Sequence, residues 1–261
     1  MEFLLYVTAG AFVGLVIGLT GIGGGSLMTP LLLMFGIPPH IAVGTDLLYA
    51  SMTKASGVVA HHKQKNIRWS ITWLLAIGSI PSAIITGLVL QSHFADFKQY
   101  TGVITTSLGI MLVLTASLLI FRRRIQLFAV RQSDLNRVSF LQRNKAALTA
   151  GMGVFLGVFV TLSSVGAGAI GTAILLVLYP LLRSVHVIGT DLAHAVPLTL
   201  VGGLVHMSLG NIDYELLAAL LVGSIPAIHL GSKLGSRLPE DLLRNILAGL
   251  LMLLGVKYIL F

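Results

Sequence analysis

The sequence contains no cysteine and little charge. Without cysteine, the 261 residues can form no disulfide bond, thiolate-bound zinc site or thiol nucleophile. Only 10% of the residues are charged and 56% are hydrophobic, whereas soluble domains carry about 25% charged residues. The mean hydropathy is +0.94. One soluble core cannot hide this many apolar runs, so the composition indicates an integral membrane protein.

Apolar runs of helix-spanning length follow one another along the chain. The uncharged ones are 3–20, 69–91, 99–121 and 146–165, and those with ionisable residues are 41–62, 187–209, 214–232 and 240–260. Runs 26–37 and 168–182 are too short to cross a hydrocarbon core of about 30 Å at 1.5 Å per residue. We therefore expect an all-α polytopic membrane protein with some short or broken helices. The N-terminus has no basic n-region, which favours a first membrane segment over a signal peptide.

The net charge of +8 comes from basic residues in short loops, which favours the positive-inside rule over nucleic-acid binding. Loop 122–145 holds seven Lys and Arg residues against Asp134 alone, so it is predicted to be cytoplasmic. Loops 61–68 and 232–239 then fall on the same side, and both chain termini are predicted to be external. The predicted location is the inner (plasma) membrane.

Two halves of the sequence resemble each other. GTDLLYASMTKASGVVAHHKQKNI, from Gly44, aligns with GTDLAHAVPLTLVGGLVHMSLGNI, from Gly189, at an offset of 145. The same offset aligns the two GSIP motifs that begin at Gly78 and Gly223. GLTGIGGGSLMT at 18–29 aligns with TLSSVGAGAIGT at 161–172 at an offset of 143. These matches indicate an internal duplication.

Equivalent loops of the two halves carry opposite charge patterns. Loop 61–68 is basic and its counterpart 206–213 is not, while 92–98 and 232–239 differ in the other direction. This predicts inverted repeats of about four to five helical segments each, as in secondary transporters that bind substrate between the repeats. The predicted division is a first repeat at 1–121, a basic cytoplasmic linker at 122–145 and a second repeat at 146–261.

Each half contains a small-residue break between a long and a short apolar segment. Non-helical backbone within the membrane must line a water-filled cavity or have its N–H and C=O groups hydrogen-bonded internally. The N-terminus of the half-helix that follows such a break favours anions. Tight helix packing through small residues is the alternative. If the breaks bind an anion, the predicted ligands are the backbone amides of the two breaks and the hydroxyl groups that flank them. These residues are Thr20, Gly23, Gly24, Gly25, Ser26, Ser163, Ser164, Gly166 and Gly168.

Ionisable residues within the apolar segments are the other candidates. Thr45-Asp46 and Thr190-Asp191 are interpreted either as helix N-caps or as substrate-binding threonines beside carboxylates that carry a proton or Na⁺. Lys54 lies near the middle of its segment, where a charge costs roughly 2.5–3.5 kcal/mol, so it is predicted to face an anionic substrate or Asp46. His194 is a candidate proton carrier or a neutral packed histidine. The His spacing favours no metal site.

The run GLTGIGGGSLMTPLLLMFGIPPHIAVGTDLL at 18–48, its weaker second copy and the two GSIP segments resemble the sulfite exporter TauE/SafE family. The resemblance covers nearly the whole chain. It implies export, or at least transmembrane movement, of small sulfur-containing anions such as sulfite and organosulfonates such as sulfoacetate.

Together these observations predict a secondary transporter of small sulfur-containing anions, with export, proton coupling and alternating access. The expected partners are the anion, the lipid bilayer and a proton or sodium ion; no cofactor and no nucleic acid are expected. Two alternatives from other classes remain: a passive anion channel and a membrane-embedded enzyme.

Overall fold

The computed structural model describes residues 2–20, 27–93, 97–134, 143–234 and 240–260, which form ten α-helices. The helices are α1 (Glu2–Thr20), α2 (Met28–Met34), α3 (Pro39–Lys63), α4 (Trp69–His93), α5 (Phe97–Asp134), α6 (Lys145–Ser163), α7 (Ala169–Leu178), α8 (Ser184–Ser208), α9 (Tyr214–Leu234) and α10 (Glu240–Leu260). The prediction of an all-helical chain is confirmed for these residues.

Six helices within the described ranges are long and apolar enough to cross a membrane: α1, α4, α5, α6, α8 and α9. Their outer faces expose large apolar side chains. On α4, Trp73, Ile77, Ile84 and Leu88 are each 45–66% exposed at helical spacing. An apolar face of this kind is unfavourable in water, so the molecule is a multi-pass membrane protein with its outer helices facing lipid.

The second short helix folds back along the helix before it. The Thr149 hydroxyl, near the start of α6, lies 2.9 Å from the hydroxyl of Tyr179, which follows the end of α7. Leu175 and Leu176 of α7 also pack with Ile71 near the start of α4. The α6–α7 pair is therefore a re-entrant hairpin whose turn is the small-residue break.

The first helix of each half packs on the fourth helix of the other. A Cβ added at Gly10 of α1 would meet the backbone of Leu220 on α9, and one at Gly153 of α6 would meet the backbone of Leu75 on α4. Gly153 is the repeat counterpart of Gly10, and Leu220 that of Leu75. The contacts of the two halves are thus reciprocal, as an internal duplication requires.

Helices α3 and α8, which are also counterparts, pack against each other in opposite directions at the centre. Gly44, near the start of α3, lies against Asn211 after the end of α8. Gly189, near the start of α8, lies against Asn66 after the end of α3. Antiparallel counterparts agree with inverted repeats, and the orientation of each half in the bilayer stays a prediction.

One sequence-based expectation differs from the structure. Thr45-Asp46 and Thr190-Asp191 do not cap helices, because α3 begins at Pro39 and α8 begins at Ser184. Proline, with its fixed φ, starts α3 instead. The segment 122–145, expected as a linker, begins as helix because α5 continues to Asp134. The division into repeats and linker stays a prediction.

Gly153→Ala is expected to lower the melting temperature in detergent by several degrees. The added methyl group would meet the rigid Leu75 backbone, and overpacking of this kind costs about 1–3 kcal/mol. Gly10→Ala should act alike at the reciprocal contact. Gly151→Ala, in the same helix with nothing within 4 Å of the added Cβ, is the control and should leave the melting temperature equal or higher. Equal melting temperatures for the Gly153 and Gly151 variants would contradict this packing.

Candidate functional site

The buried polar residues cluster on α3 and α8, the two central helices. Asp46 and Lys54 on α3 are 0% and 5% exposed, and Asp191 and His194 on α8 are 3% and 0% exposed. Charges held away from water need partners. The contacts of these four side chains therefore define the candidate site.

Asp46 is held by three hydrogen bonds to a single oxygen. Its Oδ2 accepts bonds from the Thr29 amide at 3.2 Å, the Thr29 hydroxyl at 2.5 Å and the Ser164 hydroxyl at 3.0 Å. Among the described residues, its Oδ1 is buried without a hydrogen-bond partner. Since Ser164 belongs to the second half of the chain, this carboxylate joins the first half to the break of the second.

Asp191 has the equivalent contact and fewer donors. Its Oδ2 accepts a bond from the Thr172 hydroxyl at 3.0 Å, and Thr172 is the repeat counterpart of Thr29. The other oxygen lies against Gly171, where an added Cβ would displace it. In the described ranges this Oδ1 also lacks a hydrogen-bond partner. Each half therefore places a threonine of its short helix on a buried carboxylate of its central helix.

Lys54 connects the two carboxylates electrostatically. Its ammonium group lies within electrostatic range of Asp191 and Asp46, and its Nζ donates a hydrogen bond of 3.2 Å to the Ala167 carbonyl oxygen in the break. The two carboxylates offset part of the cost of burying the lysine charge. The remaining ammonium protons can serve a ligand, since Lys has three donors.

The break of the second half is formed by residues with left-handed backbone. Ser164 has φ 57°, Gly166 has φ 112° and Gly168 has φ 131°. The backbone bonds of α7 begin with Ile170 N–H to Gly166 O and Thr172 N–H to Gly168 O. Because these bonds start there, the amides of Gly168 and Ala169 are at the positive end of α7, the orientation that favours anions.

A cavity adjoins this break. Lys54, Gly168, Thr172, Asp191 and Arg122 line it, together with apolar residues of α5, α7 and α8. The cavity thus combines two cationic side chains, a carboxylate, a hydroxyl and a helix N-terminus within an apolar wall.

The cavity extends toward one face of the molecule, here named the basic face and defined by loop 64–68 and Arg122. The Arg68 amide donates a hydrogen bond to the Thr190 hydroxyl at the start of α8. Ile188, within the same turn of α8, lines the cavity with Arg122. The cavity therefore lies in the half of the molecule next to the basic face.

The structure brings several predicted site residues together. Lys54, Asp191 and Gly168 line the cavity, and the Ser164 hydroxyl in the break donates a hydrogen bond to Asp46. His194 lies behind the cavity wall, where its Nε2 is 2.7 Å from the Ser79 hydroxyl.

Other predicted site residues have different contacts. The Thr45 hydroxyl accepts a bond from the Asp213 amide, and the Thr190 hydroxyl accepts one from the Arg68 amide. Ser163 donates back to the Phe159 carbonyl within its own helix. Gly166 packs against Met111 of α5. For these four residues a ligand contact stays a prediction.

The first break lies outside the described residues, and with it the predicted ligands Gly23, Gly24, Gly25 and Ser26. The side chain of Thr20 is also outside the description. Their role in binding stays a prediction that rests on the sequence.

The sequence analysis missed Thr29, Thr172, Ser79 and Arg122. Thr29 and Thr172 end the aligned segments 18–29 and 161–172, so their coincidence in both copies was a usable signal. Arg122 was assigned to a loop because the charges begin there. No sequence signal pointed to Ser79 as a partner of His194.

Comparison with known proteins places these features in a family. The model of the sulfite exporter TauE/SafE family matches residues 6–258. The probable membrane transporter protein YjnA of Bacillus subtilis is 41% identical over 254 residues, 97% of this chain and 98% of the relative. The probable membrane transporter protein MJ0441 of Methanocaldococcus jannaschii is 28% identical over 281 residues, 99% and 97% of the two chains. No solved structure matches the chain significantly. The re-entrant, multi-pass helical chain with a cation-lined internal cavity thus belongs to the sulfite exporter TauE/SafE family of membrane transporters.

Proposed function

We propose that the chain is a secondary transporter that moves small sulfur-containing anions, such as sulfite and organosulfonates, across the inner membrane by alternating access. The observation that carries this proposal is the Lys54 ammonium group, which lines a cavity in the membrane interior and whose charge is shared by two carboxylates. A buried lysine of this kind marks a substrate pathway by default.

The cavity supplies the contacts that a small oxyanion needs. Lys54 provides the counter-charge, the Gly168 and Ala169 amides provide donors at the N-terminus of α7, and the Thr172 hydroxyl provides a further donor. Arg122 adds a second cation on the same wall. The anion would enter from the basic face, which is the predicted cytoplasmic side, so this state suits loading for export.

The charge balance of the site supports proton coupling. With no anion bound, Lys54 compensates Asp191 across the cavity. An anion that binds the ammonium group leaves the Asp191 carboxylate buried without a compensating charge. The effective penalty for such a buried ion is on the order of several kcal/mol. A proton on Asp191 removes that charge. Anion and proton would then cross together, and the sum of their two gradients would set the direction of transport.

A passive channel is the second candidate, and the burial pattern favours a carrier over it. Thr29 and Asp46, which belong to the half of the site away from the cavity, are both 0% exposed. The cavity therefore has no open continuation through these residues. A channel needs a continuous pathway in its conducting state.

Lys54→Met is expected to abolish the stabilisation of the purified protein by its anion. A ligand that binds only the folded state raises the melting temperature by mass action, so sulfite, sulfate, thiosulfate, sulfoacetate and a carboxylate set are screened by thermal shift at two pH values. The variant should lose the shift that the wild type shows. Lys54→Arg, which keeps the charge, should retain part of it.

The control for the lysine is Lys257→Met, on the exposed side of α10 beside Tyr258. It should keep the full ligand-induced shift. The anion assignment fails if no sulfur oxyanion shifts the wild-type melting temperature while a carboxylate or a metal ion does. It also fails if Lys54→Met and Lys257→Met respond to the anion equally.

Asp191→Asn is expected to uncouple anion flux from proton movement. In proteoliposomes, a sulfoacetate gradient should move protons in the same direction through the wild type, measured with a pH-sensitive dye inside the vesicles. The Asn variant carries no titrating group at this position, so its proton flux should fall to the leak while its anion flux loses its pH dependence. Asp46→Asn tests the carboxylate of the other half in the same assay.

Asp213→Asn serves as the control for both aspartate variants. Asp213 caps α9 by accepting a bond from the Leu216 amide, a contact that Asn can keep, and it lies away from the cavity. Its variant should remain coupled. Flux that is independent of pH in the wild type, and unchanged in Asp46→Asn combined with Asp191→Asn, would favour the channel over the transporter.

A further inference from the structure

We propose that the chain forms a second cavity, around Thr29, Asp46 and Leu47, in the state that faces away from the basic face, and that Lys54 withdraws from the anion in that state. This inference rests on the proposed transport function. It assigns residues to the release side of the site, which the structure holds closed.

Three pairs of counterpart residues differ in burial between the two halves. Thr172, Ile188 and Leu192 line the cavity and are partly exposed. Their repeat counterparts Thr29, Val43 and Leu47 are each 0% exposed. These three positions are therefore more open in the second half of the molecule than in the first.

The half around Thr29 and Asp46, which is closed in this structure, contains buried polar oxygens that water would normally satisfy. In the portion of the chain that is described, Asp46 Oδ1, the Tyr49 hydroxyl and the Ser224 hydroxyl are buried without hydrogen-bond partners. The Tyr49 and Ser224 hydroxyls lie within interaction range of each other. Unsatisfied buried polar groups cost about 1–3 kcal/mol each. Water or ligand in a second cavity would satisfy them.

The contacts that hold the two halves allow the exchange. Leu192 lies against Gly57, and Leu47 lies against Gly202, its counterpart. The Thr190 hydroxyl accepts the Arg68 amide as the Thr45 hydroxyl accepts the Asp213 amide. Since each contact has a counterpart in the other half, each half can adopt the conformation of the other while the same kinds of contacts are kept. This exchange would open a cavity around Thr29 and Asp46 and close the cavity around Thr172 and Asp191.

Lys54 breaks the symmetry of this exchange. Its counterpart is Thr199, which is 0% exposed and donates its hydroxyl bond to the Ala195 carbonyl within its own helix. In the exchanged state Lys54 takes the enclosed position that Thr199 now has, and Thr199 takes the position on the cavity wall. The anion then faces a hydroxyl in place of an ammonium group. The second cavity is therefore the side of weaker anion binding.

The test is side-specific labelling of single cysteines, for which the cysteine-free chain needs no prior substitution. Leu192→Cys and Leu47→Cys are a matched pair, since both are leucines at equivalent positions and neither side chain forms a hydrogen bond. Each variant is reconstituted in vesicles of known orientation and treated with a membrane-impermeant maleimide from one face at a time. Sulfoacetate is the added anion, because sulfite would add to the maleimide and consume it.

We expect Leu192→Cys to react from the basic face and Leu47→Cys to react from the opposite face. Excess sulfoacetate on the basic face should slow labelling of Leu192→Cys, by occupying its cavity, and change the Leu47→Cys rate in the opposite direction as more molecules cycle. Reaction of both variants from the same face, or no reaction of Leu47→Cys from either face, overturns the proposal. If a leucine variant fails to fold, Ile188→Cys and Val43→Cys are the second pair.

The result can be separated from a failure of the proposed function. Labelling from opposite faces without any effect of sulfoacetate supports the second cavity and overturns the choice of anion. A sulfoacetate-dependent thermal shift without opposite-face labelling keeps anion binding and overturns the second cavity.

Discussion

The compensation of one buried lysine charge by two carboxylates is the constraint on which the rest of the site depends. Lys54 lies on α3, Asp191 lies on α8, and the Ala167 carbonyl that accepts its hydrogen bond lies in the break before α7. In a medium of low dielectric constant each of these charges is costly unless an opposite charge compensates it. The packing of three separate elements is therefore fixed by electrostatics as well as by shape.

Small residues make that packing possible. Apolar burial gives no net driving force between helices in lipid, so close backbone approach and hydrogen bonds must hold them together. Gly44 and Gly189 allow α3 and α8 to cross the ends of their counterparts, and Gly171 allows the carboxylate of Asp191 to lie directly on α7. A larger side chain at Gly171 would push this carboxylate out of its position beside the cavity. Glycine thus serves the packing of helices and the chemistry of the site at once.

The sequence predicted the features that depend on local composition. Apolar runs located the long helices, the duplication located counterparts, and Lys54 and Asp191 were selected because charge is costly in lipid. It failed where tertiary contacts decide. Thr45 and Asp46 look like a helix start, but Pro39 begins the helix earlier and leaves them inside it. Arg122 looked like a loop residue, yet α5 continues and carries it to the cavity wall.

The functional asymmetry of the two halves follows from a few substitutions on a duplicated framework. Thr29 and Thr172 bond to equivalent carboxylates, which keeps the geometry of the two halves comparable. Yet Lys54 is matched by Thr199, and Tyr49 by His194, so the chemistry of the two halves differs at these buried positions. A perfectly symmetric carrier would bind its anion equally from both faces. A single lysine on one repeat would give unequal affinities at the two faces, so the anion concentration needed for half-saturation would differ between them, while the gradients would set the direction of net transport.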